Sequence, residues 1–88
     1  MFYKAFVEAY NAVVEKNEHF RTKWKEELES DDVLIKVTAK RFIGIFKDAT
    51  IIEEFDVVLF FKVVEKIIAL NEGFLIVSLL DGTEIEIE

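Results

Sequence analysis

The stretch "FLIVSLLDGTEIEIE", residues 74–88, decides how this chain of 88 residues completes its fold. Apolar residues dominate 74–80, Asp81-Gly82 follows, and Glu then alternates with Ile to the end. Asp-Gly between two such runs is a strong hairpin signal, because both central residues of a primed two-residue turn need positive φ. A two-residue loop predicts the pairs Leu80–Thr83, Ser78–Ile85 and Ile76–Ile87.

This register assigns the side chains of the sheet to two faces. The predicted core face holds seven residues: Ile68, Leu70, Phe74, Ile76, Ser78, Ile85 and Ile87. The predicted outer face combines three apolar residues with three acids: Leu75, Val77, Leu79, Glu84, Glu86 and Glu88. A row of Glu on an outer strand prevents pairing with other chains. The apolar residues beside it predict that something covers part of this face.

Before the hairpin, the chain predicts one more strand and a short helix. A strand over 67–70 reaches strand 74–80 through a three-residue loop, in which Gly73 takes the left-handed position. Asp56 is a candidate N-cap, because its carboxylate can accept hydrogen bonds from the first backbone N–H groups of a helix. The helix that follows, over 57–66, is apolar on most of its circumference, which predicts that most of it is buried.

The middle of the chain allows two interpretations. Ser30-Asp31-Asp32 is a break with cap residues, and it favours a second helix over 32–47. Val33, Ile35 and Val37 alternate as in a strand, so residues 33–46 could also be extended. The cap favours the helix.

A regular apolar stripe marks the first third of the chain. Its members recur at spacings of three and four residues: Tyr3, Phe6, Tyr10, Val13, Asn17, Phe20 and Trp24. This period predicts one helix over 3–29, about 40 Å long. Residues 1–88 therefore form one α+β domain, with a helical part over 1–50. Its second part, over 51–88, combines a helix with a three-stranded antiparallel β-meander.

The same seven residues are candidates for self-association. A straight helix of this length presents more apolar surface than one small sheet and two short helices can cover, which predicts a dimer. Asn17 falls within the stripe, where a buried Asn commonly fixes the register of paired helices. The alternative is that the helix folds against the sheet of its own chain, and that its stripe is simply core.

Composition and charge exclude several classes of function. The chain has a net charge of −7, no Cys and one His, so it offers no thiolate zinc site, and no cofactor is expected. No phosphate loop, nucleophile elbow or paired-carboxylate site is visible, so neither an enzyme nor a small-molecule substrate is indicated. No apolar run approaches the roughly 20 residues of a membrane span, and no signal-peptide pattern is present, so the expected location is cytoplasmic.

Basic residues offer a weak nucleic-acid hypothesis. The candidates for phosphate contacts are Arg21, Lys23, Lys25, Lys40 and Arg41. Five acids occupy 26–32, between the two groups of bases, and residues 51–88 hold two bases against nine acids. Such a balance predicts a mixed, solvated surface and only weak binding to duplex DNA.

The second half of the chain resembles the C-terminal end of large serine recombinases of bacterial mobile elements. The resemblance is carried by thirteen positions: Phe55, Asp56, Leu59, Phe60, Val64, Glu65, Lys66, Ile67, Gly73, Asp81, Gly82, Thr83 and Glu84. The stretches "KAFVEAYNAVVEKNEHF" (4–20) and "TAKRFI" (38–43) are similar to the helical part that follows the zinc ribbon in such proteins. Val57 and Val58 depart from the pattern, because that family usually has polar residues there.

The resemblance implies a structural role in DNA recombination. The chain has neither the nucleophilic Ser domain nor the zinc-binding Cys of the family, so no catalytic or metal residue is carried over. What is implied is a non-catalytic domain that contacts other subunits and shapes the DNA-binding region, with DNA bound only by an intact parent protein. The alternative is an independent interaction module of a mobile element or phage, such as an acidic inhibitor.

Overall fold

A computed structural model describes residues 2–88 and, apart from residues 2 and 72, their side chains. Four helices come first along the chain: α1 (Phe2–Glu15), α2 (Asn17–Glu27), α3 (Val33–Phe46) and α4 (Val57–Val63). One antiparallel sheet follows, made of β1 (Val64–Ala69), β2 (Leu75–Leu79) and β3 (Glu84–Ile87) in that spatial order. The predicted α+β class and the three-stranded meander are confirmed.

The predicted helix over 3–29 is two helices, and the prediction of one long helix was wrong. Lys16 interrupts it with φ −101° and ψ 33°, outside the helical region. The break gives the two halves different partners, because α1 packs against β2 and β3 whereas α2 packs against α3. The sequence around Lys16 contains no Pro or Gly, so nothing local announces the interruption.

Two predicted caps lie at the starts of α3 and α4. The Asp32 carboxylate accepts hydrogen bonds from the N–H groups of Leu34 and Ile35, so α3 begins at the predicted break and residues 33–46 are helical. The Asp56 carboxylate accepts from Val58 and Leu59 in the same way. Helix α4 is shorter than predicted, because the backbone becomes extended at Val64 and continues directly into β1.

The hairpin between β2 and β3 has a three-residue loop, so the predicted register was wrong by one residue. Leu79 N–H donates to the Thr83 carbonyl at 2.8 Å, and Gly82 N–H donates to the Leu79 carbonyl at 3.0 Å. The loop therefore contains Leu80 and Asp81 followed by Gly82, whose φ is 91°. A turn that ends in a left-handed Gly is the usual form of a three-residue hairpin.

A slip of one residue exchanges the two faces of a strand. Val77 pairs with Ile85 and Leu75 with Ile87, so these side chains share the core face with Leu79. Val77 and Leu79 are 0% and 1% exposed, so the apolar stripe predicted to need an outside cover is the core face itself. The opposite face pairs Ile76 with Glu86 and Ser78 with Glu84, and both Glu side chains are exposed there as expected.

The core joins this face of the sheet to an aromatic cluster between the helices. The Trp24 ring stacks on Phe46 at a centroid distance of 5.4 Å and meets Phe42 edge-on at 5.6 Å. The Asn11 amide of α1 holds the segment between α3 and α4, because it donates to the Ile52 carbonyl at 2.9 Å and accepts from its N–H at 2.8 Å. Within residues 2–88, no helix combines the length and apolarity needed to cross a membrane.

Candidate interaction surface

The hairpin loop is fixed to α2 by one buried carboxylate. The Asp81 side chain is 2% exposed, and its Oδ2 accepts from the indole N–H of Trp24 at 2.8 Å and from the Thr83 hydroxyl at 3.0 Å. Asp81 Oδ1 accepts from the Thr83 N–H at 3.0 Å. Lys23 Nζ lies 3.4 Å from Asp81 Oδ2 and donates to the Thr83 hydroxyl at 2.7 Å. These bonds set the position of Leu80, the first loop residue, relative to the helices.

Helix α3 begins beside this loop with apolar side chains in solvent. Val33 and Leu34 are 71% and 78% exposed, and Ile35, Val37 and Leu80 are each more than a third exposed. We call these five residues the α3 surface. Their exposed fractions amount to on the order of 400 Å² of apolar area, which is the size of the largest apolar patch on a typical monomer, and such patches are often functional. The helical face that packs inward is made of Ala39, Phe42 and Phe46, and Ile35, four residues before Ala39, lies at the end of that same face.

A groove of about 130 Å³ adjoins the α3 surface. Its lining residues come from α2, α3 and the hairpin loop: Glu27, Leu34, Ile35, Thr38, Leu80 and Asp81. Glu27 Oε1 is buried there, and no group among the described residues donates a hydrogen bond to it. A buried carboxylate oxygen without a donor is costly, because it has lost its water and gained nothing in return. The groove therefore combines three apolar side chains with two carboxylates, of which Asp81 has hydrogen-bond donors and Glu27 Oε1 has none among the described residues.

A second group of exposed apolar residues lies on α4. Phe61 is 73% exposed, and Val57 and Val58 are each more than half exposed. Positions 57 and 61 share a face of the helix because they are four residues apart. The prediction that α4 is buried on most of its circumference is wrong, since within α4 only Val63 is fully buried.

A cleft of about 300 Å³ lies between the start of α1 and the far end of the strands. Its polar side chains, Lys4, Glu8 and Glu88, are all exposed. Exposed groups of this kind are solvated, and they fix neither the orientation of a ligand nor a proton-transfer geometry. The cleft therefore does not define a chemical site.

The predicted self-association stripe lies mostly inside the chain. Five of its seven members are buried in the core of their own chain: Phe6, Tyr10, Val13, Phe20 and Trp24. Asn17 is half-buried, and its amide donates to the Phe46 carbonyl at 3.4 Å, whereas Tyr3 is 65% exposed and packs on Phe55. For these five residues the alternative interpretation is correct: the stripe is core, and it is not a surface for a second chain.

The candidate phosphate contacts do not form one site. Lys23 is engaged with Asp81 and Thr83, and Arg21 donates to the Lys47 carbonyl at 3.3 Å. The remaining three, Lys25, Lys40 and Arg41, are exposed on α2 and α3. Helix α3 differs from α2 in that its bases have no acid among them over Val33–Phe46.

One tyrosine in the core has an altered proton affinity. Burial raises the pKa of the Tyr10 hydroxyl above its ordinary value of 10.0, and the negative charge of Asp56 raises it further. The Tyr10 ring packs against Phe46 at 5.1 Å and against Phe6 at 5.9 Å. The shift favours the neutral hydroxyl at ordinary pH and provides no acid or base near neutrality.

Sequence reasoning missed Glu27 and Leu80 as members of a site. Glu27 stands in the acidic stretch "EELESDD" (26–32), and nothing in that pattern shows which carboxylate is buried. The predicted two-residue loop puts Leu80 in a strand, and the three-residue loop of the structure places it beside α3. In the part of the chain that the structure describes, no three His, Cys, Asp or Glu side chains gather as metal ligands. The chain matches no family model, no curated protein and no solved structure.

Proposed function

We propose that this chain is a non-catalytic protein-interaction domain and that it binds its partner through the α3 surface. The observation that carries this proposal is the exposure of Val33, Leu34 and Val37 on a helix whose start is fixed by a cap. A rigid helix presents its side chains without a backbone ordering cost at the moment of binding. The inner face of α3 and the sheet are already covered by the core, so these exposed residues serve no packing need of the chain itself.

The setting that we propose for this domain is the C-terminal end of a large serine recombinase. What supports it is the resemblance over residues 55–84, together with the order of helix, strand, glycine turn and strand over the same residues. Val57 and Val58 stand where the resembled tails have polar residues, and both are more than half exposed. A change from polar to apolar at exposed positions suits a contact with another subunit.

An independent interaction module of a mobile element or phage is the second candidate. The net charge of −7 favours it, because an acidic module suits an inhibitor that competes for a basic surface. The DNA sequence upstream of the gene separates the two settings. A continuous reading frame with a zinc ribbon and a Ser catalytic domain supports the recombinase, and an unrelated frame supports the module.

Photo-crosslinking tests the interaction itself. Benzoylphenylalanine replaces Leu34 in one variant and Glu86, on the outer face of the sheet, in a matched control. Both variants are expressed in cells that naturally carry the gene. We expect position 34 to form an adduct with a protein and position 86 to form none. Absence of an adduct from position 34, or equal adducts from both positions, would refute the proposal.

A further inference from the structure

Helix α3 carries an outward line of residues that lies apart from the groove. Val33, Val37 and Gly44 stand at steps of four and seven residues, so they share one face of the helix, and all three are exposed. The buried Phe42 and Phe46 lie on the opposite face. We call Val33, Val37 and Gly44 the outer line of α3. It is a stripe that the core of the chain does not use.

Basic side chains border the outer line on both sides. Lys36 and Lys40 are four residues apart and lie along one border. Arg41 lies along the other border, on the side of Leu34. All three bases are exposed, and none forms an ion pair with another side chain that the structure describes. Because Val33–Phe46 contains no acid, the outward half of α3 is an apolar line between unpaired positive charges.

Three features of this face are unfavourable for the isolated domain. Lys36 and Lys40 repel each other, because residues four apart on a helix are neighbours. Glycine in a helix interior is less favourable than alanine, and a Cβ at Gly44 would meet nothing within 4 Å, so packing within the chain does not require glycine there. Val33 and Val37 leave apolar surface in water. A helix with apolar and negatively charged residues, placed along the outer line, would offset all three.

We propose that the outer line of α3 docks a helix of another protein whose contact face has apolar residues bordered by Asp or Glu. This inference rests on the proposed function, because it names the chemistry of the partner at the same helix. The apolar residues of the partner helix pack on Val33 and Val37. Its carboxylates pair with Lys36, Lys40 and Arg41, so the charges across the interface are complementary.

Gly44 lets the partner helix approach closely at the far end of the outer line. The axes of packed helices lie about 8–10 Å apart, and the side chains at the contact decide where in that range. Position 44 lies about 17 Å along the helix from position 33, so the outer line spans most of the 14 residues of α3. A docked helix therefore packs on Val33 and Val37 at one end and on the backbone of Gly44 at the other.

An extended polyanion suits this face less well than a single acidic helix. Asp31 and Asp32 directly precede α3, Asp48 follows it closely, and all three are exposed. Exposed charges interact over about 8 Å at physiological salt. Duplex DNA or an anionic bilayer would bring its charge against these acids as well as against the bases, whereas a single helix along the outer line meets mainly the bases.

Fluorescence anisotropy with a labelled synthetic peptide tests the chemistry of the partner. The peptide is an amphipathic helix with Leu along one face and Glu on both borders of that face, and its matched counterpart has Lys in place of Glu. We expect the Glu peptide to bind the full chain at least about tenfold more tightly than the Lys peptide. The net charge of −7 favours the Lys peptide, so the expected preference depends on α3. Equal affinities, no binding of the Glu peptide, or tighter binding of duplex DNA or phosphatidylserine vesicles would overturn the inference.

Substitutions in α3 test the place of docking. Lys40→Glu and Arg41→Glu should each weaken binding of the Glu peptide about tenfold. Lys66→Glu, the same change of charge at an exposed residue of β1, should leave it within about twofold. Gly44→Gln should weaken binding without lowering the melting temperature, because the new Cβ has open space. Binding that survives Lys40→Glu and Gly44→Gln, or that Lys66→Glu weakens equally, would contradict docking on the outer line.

The inference and the proposed function fail separately. A protein adduct from position 34 upholds the proposed function, and mass spectrometry of the adduct identifies the segment in contact. A segment without Asp or Glu beside its apolar residues would exclude the acidic helix and leave the proposed function intact. Sedimentation equilibrium of the chain alone should give the monomer mass of 10.3 kDa. A dimer that Val37→Asp dissociates would show that a second copy, and not another protein, covers the outer line.

Discussion

Asp81→Ala should remove the link between the hairpin and α2, and its cost can be worked from the structure. The carboxylate accepts three hydrogen bonds of 3.0 Å or less, from Trp24 and twice from Thr83, with Lys23 at 3.4 Å. A hydrogen bond to a charged group contributes about 1.5–3 kcal/mol, but the Thr83 groups can partly turn to water. Without the Asp81 carboxylate, the indole N–H of Trp24 has no acceptor beside the core, and that alone costs about 1–3 kcal/mol of stability. We expect a total loss of about 3 kcal/mol.

Urea unfolding measures this loss. A chain of this size has a slope of about 1 kcal/mol per molar urea, so the midpoint should fall by about 2–3 M. The fluorescence of Trp24, the single tryptophan, follows unfolding, and far-ultraviolet circular dichroism provides a probe that does not depend on the indole's surroundings. Asp81→Asn keeps one acceptor oxygen and should lose about half as much free energy.

The control is Asp31→Ala, which removes an exposed acid from the loop before α3. Its effect should stay within about 0.5 kcal/mol, as is usual for a surface substitution. If Asp81→Ala cost less than about 1 kcal/mol, the carboxylate would not hold the hairpin to α2. The position of Leu80 beside α3 would then depend on apolar packing alone.

Three further predictions concern the turn, the core tyrosine and the α3 surface. Gly82→Ala should destabilise the fold by about 1 kcal/mol because the φ of Gly82 is 91°. Gly44→Ala, inside α3 with open space at the new Cβ, should stabilise the fold by about 0.5–1 kcal/mol, and thermal unfolding compares the two variants. Because burial raises the pKa of Tyr10, its stabilising effect is complete below about pH 10 and is lost as pH rises through the folded-state pKa. Tyr10→Phe should therefore flatten the alkaline fall in melting temperature, whereas Tyr3→Phe, at an exposed ring, should not. Leu34→Asp should change the free energy of unfolding by less than about 0.5 kcal/mol in dilute solution, and a larger loss would mean that Leu34 serves the fold and not a partner.

Local signals in the sequence were sufficient for the class of fold. Asp32 and Asp56 accept hydrogen bonds from N–H groups two and three residues ahead, so their role depends on nearby chain alone. The break at Lys16 has no such local cause. It follows from the different partners of α1 and α2, because α1 packs on strands in the last part of the chain whereas α2 packs on the next helix, α3. Sequence periodicity cannot show such a break, because the stripe continues across it with an unchanged spacing.

The predicted register of the β2–β3 hairpin was wrong for a similar reason. Asp-Gly suits a two-residue loop and also a three-residue loop that ends in a left-handed Gly, and the pattern of apolar residues on both sides is compatible with either. What distinguishes them here is the bond from the Trp24 indole to Asp81, across 57 positions of the chain. The loop type is thus fixed by tertiary contact, and one residue of slip was enough to exchange the faces of β3.

The corrected register changes which apolar side chains remain exposed on the chain. With Val77 and Leu79 in the core, the sheet needs no external cover, and the stripe of α1 and α2 is buried within the same chain. The two apolar surfaces that the sequence predicted to need a partner, one on the sheet and one on α1 and α2, therefore lie in the core of a single chain. The exposed apolar side chains lie instead on α4 and at the start of α3, where the sequence is ambiguous between helix and strand. The groove there is lined by Glu27, whose buried Oε1 has no donor among the described residues, so this end of α3 combines exposed apolar side chains with an acidic neighbourhood.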